Sequence, residues 1–158
     1  MPNSTWKKLD TTDFAVKNPD WIPELEATVL LQDAPVTLLI DGTLEMSSDY
    51  VDCFKTLIDG WLTNRETIAQ QTEEHLDRFL PGRKVRLDEL LIWGITLRID
   101  DDTPEAASFF YRIGGDYSSA AYKLDEFDDR SVVELSCCLD NGVMNWTDLD
   151  ITMTNDFD

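Results

Sequence analysis

One histidine, His75, stands in a chain of 158 residues, and the three cysteines, Cys53, Cys137 and Cys138, have no framework spacing. A single imidazole without a C-x-x-C pair excludes the usual zinc sites. An odd cysteine count argues against a disulfide-stapled secreted scaffold. Bases are also scarce. Thirteen Lys and Arg face 32 Asp and Glu, a net charge of −19. Nucleic acid is bound by cations that displace phosphate counterions, so no direct nucleic-acid binding is expected. An anionic membrane surface is disfavoured for the same reason. No apolar run approaches the roughly 20 residues of a membrane span. The opening MPNSTWKKLD lacks the apolar stretch of a signal peptide, and the expected location is cytoplasmic.

The composition is otherwise globular, with 42% apolar residues. The length suits one domain with a real core. Residues 1–23 predict an irregular lead-in or one short strand, and 154–158 an acidic tail. Leu25, Ala27, Val29 and Leu31 alternate, as do Val36, Leu38 and Ile40 after the turn DAP. Period two on both arms predicts a hairpin closed by Asp41-Gly42. Ser47 or Ser48 then reads as a helix N-cap with Asp49 in the first turn. Tyr50, Phe54, Leu57, Ile58 and Trp61 follow at helical spacing. Gly60 interrupts the pattern, and TNRE, Thr63 to Glu66, reads as a capping box that restarts a helix. Two helices, or one kinked helix, are expected across 48–80.

The second half predicts strands. LLIWGITLRI places Leu91, Trp93, Ile95, Leu97 and Ile99 on one face. Phe109, Tyr111 and Ile113 form an inward set. So do Val133, Leu135, Cys137 and Leu139, and then Leu149, Ile151 and Met153. The expected class is α+β. It is an antiparallel sheet of about six strands in the order ββ-α(α)-ββββ, with one or two helices on one face.

Candidate sites follow from the charge. LRIDDDTPE sets Asp100, Asp101 and Asp102 between two strands. Calcium loops need spaced acids, a central glycine and a distal bidentate acid, so this reads as a charged turn. LDEFDDR adds Asp125, Glu126, Asp128 and Asp129, and DNG at 140–142 is a hairpin signal. From residue 100 onward there are 15 acids and 3 bases, whereas Arg83, Lys84, Arg86 and Arg98 cluster just before. The acid is polarised toward the C-terminal third. Catalysis finds little support. Nothing orients His75 toward Cys53, and Gly114-Gly115 lacks a phosphate-loop pattern. No metal and no cofactor is expected.

The outward register of the strands says more. If Leu149 and Ile151 face the helices, Trp146, Asp148 and Asp150 share the other face. Phe110, Arg112, Leu30 and Leu39 join them. Exposed aromatics among carboxylates describe a protein-binding surface, with Trp146 as anchor. The competing expectation is that the N-terminal segment folds over this face through Trp6 or Trp21.

LEATVLLQDAPVTLLIDG, SSDYVDCF and LDELLIWGITLRI together resemble the layout of small acidic bacterial immunity proteins of toxin–immunity systems, across roughly 21–153. That resemblance implies a protein-binding inhibitor that neutralises a cognate toxin, with a basic partner held by the acidic surface. A DNA-mimic or anti-defence protein is the alternative, and predicts carboxylates in two rows at duplex-like spacing. A small enzyme predicts a deep pocket with convergent polar groups. Self-association is left open by the composition.

Overall fold

A computed structural model describes residues 5–17, 23–31, 34–76, 90–113 and 131–155. The lead-in holds two single 3₁₀ turns, Thr5–Lys8 and Thr11–Asp13, and strand β1, Ala15–Lys17. Strands β2 (Glu24–Leu31) and β3 (Ala34–Asp41) form the expected hairpin. Helices α1 (Ser48–Thr63) and α2 (Arg65–Leu76) follow. The second half contributes β4 (Leu90–Asp100), β5 (Thr103–Ile113), β6 (Ser131–Asp140), β7 (Val143–Met144) and β8 (Asp150–Asn155).

The eight strands make one mixed sheet in the order β1-β2-β3-β4-β5-β6-β7, with β8 also paired to β6. The α+β class holds, but the sheet is larger than six strands and not purely antiparallel. Strands β3 and β4 pair parallel, with Thr37 opposite Gly94 and Asp41 opposite Arg98. A parallel pair needs a long crossover, and the connection carrying both helices supplies it. The other extra strands are very short, three residues in β1 and two in β7, below what alternation can signal.

One buried cluster unites the inner sheet face with the helices. Leu38, Ile40, Ile95, Leu97 and Phe109 are fully covered, as are Phe54 and Ile58 of α1. Burying an aliphatic or aromatic side chain of this size contributes about 1.5–3 kcal/mol. The lead-in belongs to this core as well. Trp6, Leu9 and Phe14 are buried, and Phe14 stacks on Phe54 with ring centroids 5.8 Å apart. Phe14 therefore covers α1, not the opposite sheet face, and Trp21 lies outside the described residues. Inside the core, Trp61 Nε1 donates a hydrogen bond to the Tyr111 hydroxyl, which satisfies two buried polar groups at once.

The turns obey local chemistry. Ser47 caps α1, its Oγ accepting from Asp49 N at 3.1 Å. Asp101 and Asp102 have φ of 54° and 59°, and Asn141 and Gly142 have 55° and 78°. Two consecutive positive φ values describe the type I′ hairpin turn. The triple aspartate is thus the tip of the β4–β5 hairpin. Gly42, at φ 104°, is required outright, because a Cβ there would lie 2.1 Å from the Ile99 carbonyl oxygen. The capping box expected at Thr63–Glu66 does not form. Thr63 Oγ1 instead donates back to the Asp59 carbonyl at 2.9 Å, and Asn64 ends α1 by donating to the Gly60 carbonyl at 2.8 Å.

Candidate functional site

The face of the sheet turned away from α1 and α2 is built by cross-strand register. Residues directly opposite one another share a face. Glu26, Leu39, Thr96, Ser108, Ser136 and Asp150 therefore form one row across the sheet. Thr28, Thr37, Gly94, Phe110, Glu134 and Thr152 form the next. Thr96, Ser108 and Ser136 in the first row and Thr37 and Gly94 in the second give this face a low, polar bed beside Phe110. Larger groups stand on it: Leu30 is 40% exposed and Trp93 39%.

Trp93 reaches this face through a β-bulge. Ile92 pairs with Tyr111 and Gly94 with Phe110, so Trp93 is the unmatched residue. A bulge resets the alternation of its strand. Ile92 and Ile95 both face the core as a result, and Trp93 points outward. This corrects the expectation that Trp93 faces inward; the Leu91 side chain lies outside the described residues. The Trp93 ring meets Phe110 at 5.6 Å with the planes tilted by 41°. Phe110 leans over Gly94, where an added Cβ would touch Phe110 Cδ2 at 3.9 Å. Directly opposite Phe110 on β6 stands Glu134. Ser108 Oγ donates to Glu134 Oε2 at 2.8 Å and holds the carboxylate on this face.

A second bulge adds charge. Arg98 pairs with Ala106 and Ile99 with Pro104, leaving Glu105 unmatched and exposed. Its carboxylate lies 3.9 Å from Arg98 Nε, an exposed pair of small energetic consequence.

Trp146 is elsewhere, and this is the main correction to the expected site. Residues 145–149 form a turn between β7 and β8 and do not continue a strand. Trp146 packs edge-on against Phe109 of the inner face, centroids 5.5 Å apart. Its backbone is tied to α2, since Gln71 Nε2 donates to the Trp146 carbonyl at 2.6 Å. Gln71 Oε1 accepts from Leu149 N at 3.1 Å. One amide side chain thus closes both sides of the turn. Alternation fails here because these residues are not extended. Asp148 is exposed on that turn, while Asp150 begins β8 and does reach the open face.

The remaining expected residues divide. Phe110 lies on the open face, half-buried, as expected, together with Leu30 and Leu39. Asp100, Asp101 and Asp102 are exposed at the hairpin tip. Asp100 is seven residues along the strand from Trp93, about 23 Å at the usual strand rise. They are not part of the aromatic group. Asp125, Glu126, Asp128 and Asp129 lie outside the described residues, as does the Arg112 side chain. Alternation missed Trp93; it sets Glu134 outward but does not place it across from Phe110. The available signal for Trp93 was Gly94, since a glycine inside a strand marks a bulge.

Two clefts border the helices, and one of them includes Asp150. One, of about 350 Å³, runs between the start of α1 and the two type I′ hairpins, with Cys53, Asp49, Asp52 and Gly142 in its lining. Burial pushes the Cys53 thiol up to about 11, so at neutral pH it is a protonated, unreactive thiol. The other, of about 340 Å³, is lined by Gln71, Glu74, His75 and Leu149 to Ile151. Cys53 and His75 therefore line different clefts and form no nucleophile–base pair. Among the described residues no group of three or more His, Cys, Asp and Glu is placed to hold a metal ion, and no helix is long and apolar enough to cross a membrane.

Comparison with protein families, curated proteins and solved structures finds no match to this chain.

Proposed function

We propose that this chain is a protein-binding inhibitor, an immunity protein that neutralises a basic toxin, and that it binds through the open face of its sheet. The observation that carries the reading is the exposed Trp93 ring set against half-buried Phe110, with Glu134 directly across from Phe110 on the next strand. A protein of net charge −19 attracts a basic partner over long range. Charge alone steers encounter but does not hold a complex; buried aromatic anchors supply most of the holding energy. The open face has both parts. The low bed of Ser and Thr lets a partner approach the backbone, and the aromatic pair stands above it. Trp93 takes the anchoring role that alternation assigns to Trp146.

The test begins with capture. The immobilised chain is exposed at low salt to extract of the cells it comes from, and the retained protein is identified. That protein is then expressed alone and with the chain. The proposal predicts a basic protein that arrests growth alone, and relief of the arrest by the wild-type chain. Trp93→Ala should weaken the relief in a chain that still folds. An acidic captured protein, or arrest that the chain does not relieve, contradicts the proposal.

A further inference from the structure

We infer that Trp93, Phe110 and Glu134 together seat an arginine side chain of the basic partner. The inference rests on the open face being the binding surface and adds which group of the partner it recognises. Three observations converge. Trp93 and Phe110 present two tilted aromatic rings 5.6 Å apart, with Trp93 39% exposed. Glu134 stands directly across from Phe110 on the neighbouring strand. Its carboxylate is held by Ser108 Oγ at 2.8 Å, so it is oriented before any partner arrives.

This set matches a guanidinium better than an ammonium. A guanidinium is planar, stacks on aromatic faces and carries a fork of N–H donors suited to a carboxylate. Indole is the strongest of the aromatic faces for a cation. An ammonium is a compact, strongly hydrated point charge that gains less from a flat ring. The chain already contains the stacking half of this arrangement on its helical side, where the Arg65 guanidinium carbon lies 5.4 Å from the Trp61 ring centre. On the open face the rings and the carboxylate are supplied by β4, β5 and β6.

The test uses oligo-arginine and oligo-lysine peptides of equal length and equal charge. Binding to the full chain is measured by calorimetry. The Trp93 indole N–H resonance, assigned by its loss in Trp93→Phe, reports whether the peptide reaches the site. The arginine peptide should bind about tenfold more tightly than the lysine peptide and shift the Trp93 resonance. Trp93→Leu and Glu134→Gln should each shrink that preference to about twofold or less, with both variants confirmed folded by an unchanged melting curve. Should either variant melt early, Phe110→Leu serves in its place. Equal affinities with a shifted Trp93 resonance overturn the arginine seat and leave the open face as a binding surface. Binding of both peptides with Trp93 unmoved overturns the seat and counts against the open face as well.

Discussion

The indole of Trp146 occupies the space that a side chain at Gly60 would need. A Cβ at Gly60 would lie 2.7 Å from the indole nitrogen and 2.8–2.9 Å from two ring carbons. The glycine in the last turn of α1 is thus a seat for the turn between β7 and β8. Exposed helices gain about 1 kcal/mol when Gly becomes Ala, but here overpacking acts in the opposite direction at about 1–3 kcal/mol. Gly60→Ala should therefore destabilise the fold. In a Trp146→Ala background the same change should stabilise it, because the ring is gone and only helix propensity remains. Urea melts of the two single variants and the double variant measure the sign directly. Trp146→Ala alone should cost about 3 kcal/mol as a core truncation.

The pattern of the strands was readable because period two survives wherever a strand is regular. Leu25 to Leu31, Val36 to Ile40 and Val133 to Leu139 alternate in sequence and in burial alike. It fails at Trp93, where one bulged residue shifts the face of everything before it. It fails again at Trp146, where the chain turns. Both failures sit beside a glycine, Gly94 in one case and Gly60 in the other. The first marks a break in strand register and the second a close approach that sequence order cannot pair with a residue so far away. The parallel pairing of β3 and β4 was hidden too, because it depends on where two helices return the chain. Glu134 was readable as outward but had no stated role until Phe110 was found opposite it.

The tip of the β4–β5 hairpin gives a second prediction. Asp101 and Asp102 both hold positive φ, a conformation that Asn and Gly adopt at lower cost. Asp101→Asn with Asp102→Gly should raise stability by about 1 kcal/mol. Calcium should leave the melting temperature of the wild-type chain where matched sodium chloride leaves it. Loss of stability on substitution, or saturable stabilisation by micromolar calcium, would show that the aspartates serve as ligands.

The Cys53 thiol makes stability depend on alkaline pH. Its value is raised from 9.0 to about 11 by burial, so the folded state holds the proton more tightly than the unfolded state. The contribution is complete below the unfolded value and is lost as pH rises from about 9 toward 11. Burial raises the phenols of Tyr50 and Tyr111 as well, so they add to the same decline. Cys53→Ala should make the loss of stability over that window shallower without removing it. At neutral pH, alkylation should label exposed Cys138 well before buried Cys53. Rapid labelling of Cys53 in the folded chain would contradict the assignment of an inert thiol.

The proposed binding surface is the open face and not the helical side. The most direct measurement is the association and dissociation kinetics of the captured partner at several salt concentrations. Trp93→Ala and Glu134→Gln on the open face would be compared with Asp59→Asn and Glu66→Gln on the helices. The account predicts that Trp93→Ala accelerates dissociation, with a loss of about 2 kcal/mol or more, while the helix variants change affinity by less than about 0.5 kcal/mol. Rising salt should slow association for every variant. Equal losses from helix and open-face variants, or a full-strength complex with Trp93→Ala, would contradict it.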